Sequence, residues 1–365
     1  MRLPVDFKHS INIEVNKFFL MKGISIKDIA RQAGVSPTTV SFVLNGKARE
    51  KRISEQVSKK ILKIASKLKY KPNQLARGLR TGKTKTIGLI VEDIANNFFA
   101  SVAKVVEEEA DKFGYKVLYG STEDNAEKAK GLLEVLKYRQ VDGYIITPTK
   151  SLEKEIALLG IARKPVVLMD RYYPNINSHY VVVDNYGGAF TATKHLLAQG
   201  YKNIAIITTT SDQIQMRERL DGFVAALKEA EVPYNKNMVK RLPFEMDRIG
   251  FTREITKYLQ TTPELDAVFF ATNYLGICGI ESIRSLGLTI GKDLGIVSFD
   301  DHDLFRLLSP SITCVAQPIE EIGRQIVNVL MKELNQPSAE PQQLVLSPAL
   351  EIRQSSVGKK VSVEQ

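Results

Sequence analysis

Two groups of polar side chains carry what chemistry this sequence offers. The first is the run Ser36-Pro37-Thr38-Thr39-Val40-Ser41-Phe42-Val43-Leu44-Asn45, where hydroxyl, amide and aromatic groups alternate with apolar ones. At helical spacing Val40, Val43 and Leu44 face inward, and Pro37, Thr38, Ser41, Phe42 and Asn45 face out. The second group follows short apolar runs farther along: Asp93, Ser121, Thr122, Thr147, Asp170, Asp184, Asn273, Asp300 and Asp301. Both groups suit hydrogen bonding to a partner. Neither looks built for bond breaking: the chain contains no GxxxxGK[ST], GxSxG or HExxH pattern, and its histidines are His9, His179, His195 and His302. Asp300-Asp301-His302-Asp303 has metal-ligand residue types, but adjacent residues in one loop rarely converge on a single ion. Cys278 and Cys314 are far apart and outside any CxxC, which argues against a disulfide framework or a thiolate metal site.

The elements that hold the first group are short helices. Ser25 is placed to cap one, with Asp28 near the free N–H groups of its first turn. Ile26, Ile29, Ala30 and Ala33 share a face, Gly34 permits a tight corner, and Val35 plugs the gap. Ser36-Pro37 then repeats a helix-start signal. This is the pattern of a helix-turn-helix, whose second helix enters the major groove of DNA. A third helix, capped by Ser54, carries Val57, Ile61, Ile64, Ala65 and Leu68 at helical spacing and closes a three-helix core. Residues 21 to 85 hold 17 Lys and Arg against three acids, a net charge of +14, while the other 300 residues net −4. A basic excess confined to one small region points to a polyanion held through its phosphates.

The second group requires a different scaffold. From Thr86 onward, apolar strand candidates (86 to 91, 116 to 120, 143 to 148, 165 to 170, 180 to 184, 203 to 208, 266 to 271 and 295 to 300) alternate with helical stretches. That alternation indicates parallel sheets covered on both faces, and so many strands fit two α/β lobes better than one wide sheet. Ligands of such folds bind beyond the carboxyl ends of the strands. The expected fold class is an all-α head plus an α/β core of two doubly wound parallel-sheet lobes. The expected organisation is a disordered leader (1–22, with Met21 an alternative start), the head (23–70), a hinge helix and linker (71–85), the core (86–352) and a C-terminal tail (353–365). The stretch 71–85 reads either as a basic linker or as a short helix that forms only against a partner. No signal-peptide core or membrane-length apolar run is present, so the sequence predicts a cytoplasmic protein.

The sequence resembles the lactose/galactose-repressor (LacI/GalR) family of transcription regulators over residues 23 to about 352. The resemblance rests on IKDIARQAGVSPTTVS, KPNQLARGLRTGKTKTIGLIV, VDNYGGAFTATKHLLAQGYKNIAII, RLDGF, GKDLGIVSFDD and SITCVAQPIEEIGRQ, in that order and spacing. It implies a homodimer on a pseudo-palindromic double-stranded operator, with a core of the periplasmic-binding-protein-like type I fold and a small-molecule effector, a sugar, between the lobes. The function implied is sequence-specific repression without enzymatic activity or cofactor. Base-reading positions fall on Pro37, Thr38 and Phe42. Phe42 stands where many members carry Arg or His, and can offer a base only apolar contact. Ser36, Thr39, Ser41 and Asn45 match phosphate-contacting positions. Asn73, Ala76 and Leu79 match the minor-groove hinge, with Leu79 as an apolar wedge. Arg219, Asn273 and Asp300 match effector-binding positions, joined less closely by Thr147, Asp170, Asp184, Phe98 and Phe99. The two phenylalanines are equally open to packing the lobe surface, and Arg219 to an inter-lobe ion pair with Asp300. Alternative readings are a member of the same family with a protein co-effector, or a sugar-binding protein without a specific DNA role.

Overall fold

The computed structural model describes residues 24–70, 83–338 and 340–358; Asn73, Ala76, Leu79, the leader to residue 23 and the last seven residues lie outside the described residues. The chain forms two compact units that meet in sequence between Thr84 and Lys85.

The first unit is helical: α1 (Ile26–Ala33), α2 (Pro37–Leu44) and α3 (Glu55–Lys67). Ser25 donates its backbone N–H (3.0 Å) and its hydroxyl (2.7 Å) to the Asp28 carboxylate at the start of α1. Gly34 ends α1 at φ +70°, a left-handed conformation that a side chain would strain. Ser36 Oγ then accepts the Thr39 N–H at 3.1 Å and starts α2. Ile29, Ala30, Ala33, Val40, Val43, Ile61 and Ala65 form the buried core, with Val35, Leu44, Val57, Ile64 and Leu68 packed half-buried around it. This core is small, so each large member matters to the fold.

The second unit has two lobes. The first is built from β1 (Thr86–Val91), α4 (Asn97–Lys112), β2 (Lys116–Ser121), α5 (Ala126–Tyr138), β3 (Gly143–Ile146), α6 (Glu153–Ile161), β4 (Val166–Met169) and β5 (His179–Val183). Helix α7 (Asn185–Ala198) carries the chain into the second lobe. There follow β6 (Ile204–Thr209), α8 (Ile214–Glu229), β7 (Val239–Leu242), α9 (Arg248–Thr261), β8 (Ala267–Phe270), α10 (Asn273–Ser285), β9 (Gly295–Phe299), α11 (Asp303–Leu307) and β10 (Thr313–Ala316). The chain returns through α12 (Ile319–Asn335) and β11 (Gln343–Leu346) to the first lobe, and crosses again to β12 (Ala349–Glu351). Three crossings therefore join the lobes.

The sheet orders are β11-β5-β4-β3-β1-β2 and β12-β10-β9-β8-β6-β7. Every strand pair is parallel except β10 with β12. All eight strands expected from the sequence form. Strands β7, β10, β11 and β12 go beyond that expectation, and three of them are sheet edges whose partly exposed, polar-interrupted sequences lack a continuous apolar run. Helices α7 and α8 pack so closely at Gly222 that a Cβ there would lie 2.2 Å from the Tyr186 carbonyl oxygen. That contact fixes α8, and with it Arg219, against the crossover. Among the described residues no helix is long and apolar enough to cross a membrane.

Candidate functional site

On the helical unit, Ser36, Pro37, Thr38 and Asn45 are exposed, and Thr39, Ser41 and Phe42 are half-buried. Ser36 and Thr39 also share a hydroxyl hydrogen bond of 2.8 Å, and Asn45 Nδ2 donates to the Ser41 carbonyl at 2.7 Å. These bonds set the side-chain orientations on one side of α2. Lys51 Nζ stands 5.6 Å from the centre of the Phe42 ring. An aromatic face and a cation are thus displayed together, next to hydroxyls able to reach phosphate oxygens.

In the second unit the strand ends of both lobes converge on one cleft. Glu92, Asn96, Phe98, Phe99, Asp170 and Arg171 line it from the first lobe; Thr209, Gln213, Gln215, Met216, Arg219, Phe244, Thr272, Tyr274 and Asp300 line it from the second. Asp170 follows β4 and Asp300 follows β9, each with φ +67°. Aspartate tolerates this left-handed backbone better than most residues. Each carboxylate has an arginine beside it. Arg171 Nη1 bonds Glu92 (2.6 Å) and lies 3.4 Å from Asp170, Nη2 reaches Asp124 at 3.3 Å, and Nε donates to the Pro148 carbonyl at 2.6 Å. Arg219 donates to Asn185 Oδ1 (2.9 Å) and the Ala271 carbonyl (2.7 Å), stands 3.8 Å from Asp300, and stacks 3.6 Å over the Phe299 ring.

Both lobes contribute to polar bridges across the cleft. Gln213 donates to Asp124 (3.0 Å), Gln215 to Asp170 (3.3 Å) and Asn273 to Asn96 (3.2 Å). The innermost space measures about 40 Å³, and a larger chamber of about 610 Å³ continues outward past Glu92, Asn96, Phe244 and Tyr274. Burial pushes Asp170 up to about 6, with Glu92 and Asp300 adding to it and Arg171 and Arg219 opposing it. Asp300 and Asp124 are also raised, again chiefly by burial. Two cleft atoms, Thr209 Oγ1 and Gln215 Oε1, are buried without a hydrogen-bond partner among the described residues.

Several expectations change here. The Arg219–Asp300 pair lies within the second lobe rather than between lobes, because α8 packs against the sheet that contains β9. Phe98 and Phe99 pack edge to face, 5.0 Å apart, inside the first lobe's core while also lining the cleft. Asn273 lines the outer chamber. Thr147 is buried away from the cleft lining, and Asp184 instead caps α7 through the Gly187 N–H at 2.7 Å. The four residues 300 to 303 diverge. Asp300 accepts from Gln317, Asp301 pairs with Arg353, His302 accepts the Leu304 N–H, and Asp303 pairs with Arg306. Sequence reasoning missed Arg171, Glu92, Gln213 and Gln215. The Asp170-Arg171 dipeptide at a strand end, and the four-residue spacing from Gln215 to Arg219 on one helix face, were the available signals.

A recognition-type helical head and a two-lobed periplasmic-binding-protein-like core together define a ligand-controlled DNA-binding protein. The family model "Bacterial regulatory proteins, lacI family" matches residues 25–73, and the periplasmic binding protein-like domain matches residues 193–356. A ribose operon repressor of Haemophilus influenzae is 32% identical over 331 residues, covering 91% of this chain and 98% of its own length. The chain belongs to the lacI family of bacterial regulatory proteins: it is a DNA-binding transcriptional repressor, not an enzyme. Among solved structures, a LacI-family regulator from Enterococcus faecium with bound ribose is 25% identical at a TM-score of 0.67, over 75% of this chain and all of that one. The lac repressor dimer bound to operator shares the fold at a TM-score of 0.82 and 20% identity, over 92% of this chain and all of that one.

Proposed function

We infer that this repressor binds a pseudo-palindromic operator as a cytoplasmic homodimer, and that an uncomplexed sugar bound between the core lobes sets its affinity. The observation that carries the sugar assignment is the pair of buried strand-end carboxylates, Asp170 and Asp300, one from each lobe and each flanked by an arginine. Carboxylates accept from vicinal hydroxyls, and the faces of Phe98 and Phe99 suit the C–H faces of a sugar ring. The unpartnered Thr209 and Gln215 oxygens supply further polar contacts.

The innermost space suffices for a water or two. A sugar therefore enters by displacing the Gln213 and Gln215 side chains from Asp124 and Asp170, exchanging direct bridges between lobes for bridges through the ligand. On the head, Pro37, Thr38 and Phe42 read bases, while Ser36, Thr39, Ser41 and Asn45 orient the helix on phosphates. Asn73, Ala76 and Leu79 form the hinge contact to the minor groove. Operator selection from random duplexes, repeated with and without free sugars, tests the whole reading. A palindromic site whose occupancy changes with one sugar is the expected result; salt-sensitive binding with no enriched site would overturn it.

A further inference from the structure

The outer chamber adjoins the inner cleft, sharing Glu92, Asn96, Phe244 and Tyr274 with it, and its charge is one-sided. Glu92, Asp93, Glu123 and Glu245 line it, and no lysine or arginine does so among the described residues. Glu92 is tied to Arg171 behind it and Glu123 to Lys128 beside it. Asp93 accepts the Ala95 N–H at 2.8 Å, and neither it nor Glu245 forms an ion pair among the described residues. The inner cleft offers an anion little compensation. Arg171 spends Nε, Nη1 and Nη2 on Pro148, Glu92 and Asp124, and Arg219 spends Nε and Nη1 on Asn185 and Ala271. The groups left to a ligand are mostly carboxylate oxygens and the Gln215 carbonyl oxygen, which favour hydrogen-bond donors, together with the Thr209 hydroxyl and Arg219 Nη2.

Building on the sugar reading above, we propose that the chamber is an electrostatic filter: it admits uncharged sugars and rejects their phosphate esters, with Asp93 and Glu245 as specificity-determining residues. A phosphate carries nearly two negative charges at neutral pH, and a cleft lined by one sign of charge acts on both entry and occupancy. The regulator thereby reads a free sugar before a phosphoryl-transfer reaction consumes it.

Isothermal titration of the full chain with ribose, xylose, glucose and galactose, and with the terminal phosphate of each, tests this. At least one free sugar binds on the order of tenfold or more tighter than its phosphate, and raising salt narrows the gap. The double variant Asp93→Asn, Glu245→Gln closes most of the gap by tightening phosphate binding. A phosphate binding as tightly as its parent sugar overturns the filter and leaves the sugar reading intact. An undiminished gap in the double variant removes the role of these two carboxylates. Silence from every compound overturns the sugar reading and the filter with it.

Discussion

Asp170→Asn should make the core more stable while weakening its ligand. Asp170 is buried in the cleft and its carboxyl is raised to about 6 from an ordinary 3.8. A raised acid binds its proton more tightly folded than unfolded. Stability from this group is therefore full below about pH 4, falls as pH rises, and is fully lost above about pH 6. The shift corresponds to up to about 3 kcal/mol at pH 7, which a neutral side chain recovers. Asparagine tolerates the left-handed backbone at this position, and its carbonyl still accepts from Gln215. Arg171 keeps Glu92 and Asp124. For a core of this size that is a rise of roughly 5 to 10 °C in Tm at pH 7, with little change near pH 4. Thermal unfolding of the ligand-free protein across pH 4 to 8 reads both quantities. A variant less stable than the parent at pH 7 would refute the reasoning, since it would mean that the carboxylate's ion pair with Arg171 outweighs its burial.

Four further outcomes are expected. Ile61→Ala empties the centre of a seven-residue core, so a loss of roughly 2 to 5 kcal/mol should unfold the head and abolish operator binding; sugar titration should remain normal, and a parallel loss there would show that the two units do not fold independently. Phe42→Arg should move operator selection toward guanine at one position per half-site, by about 1 to 3 kcal/mol of discrimination; unchanged selection would remove Phe42 from base reading. Leu79→Ala should weaken specific operator binding far more than binding to random DNA, and equal losses would sink the wedge role. Arg219→Ala strips Asp300 of its countercharge, and Asn185 and the Ala271 carbonyl of their donor. It should cost about 3 to 5 kcal/mol of core stability by thermal melt, and an unperturbed melt would mean that water takes over all three partners.

The head was legible because short-range rules decide it: the apolar faces of α1 and α2, the Ser36 cap and Gly34 at its corner all act within a few residues. Eight of the strands were legible for the same reason, whereas the inner β10, Thr-Cys-Val-Ala, is too short an apolar run to stand out. Edge strands such as β7, Val-Lys-Arg-Leu, carry no such signal, since one side of an edge meets solvent and tolerates charge. The cleft was half legible. A strand-end rule found Asp170 and Asp300 but stopped one residue short of Arg171. The same rule also selected Asp184, although an aspartate three residues before the N–H of Gly187 is equally a helix cap. The partners of Arg219 depend on which helix packs over which strand. That is a property of topology, and no local spacing encodes it.

Asp170 and Asp300 occupy equivalent places: each follows the fourth strand of its lobe in chain order, with the same backbone angle and a carboxyl raised chiefly by burial. The equivalence follows from two lobes built on one plan, and it has an energetic consequence. Burial in the cleft disfavours the ionised form of both carboxylates, and Asp300 adds to that at Asp170. The bridges from Gln213 and Gln215 offset only part of that cost, because Gln215 Oε1 is left unpartnered in making its own. A polyol supplies donors to both carboxylates at once and fills the orphaned acceptor, so its binding free energy is larger in the closed arrangement than in any with the lobes apart. A ligand moves a conformational equilibrium only by that difference. On the proposed sugar reading, these buried charges are thus what would make the lobe arrangement answer to a sugar.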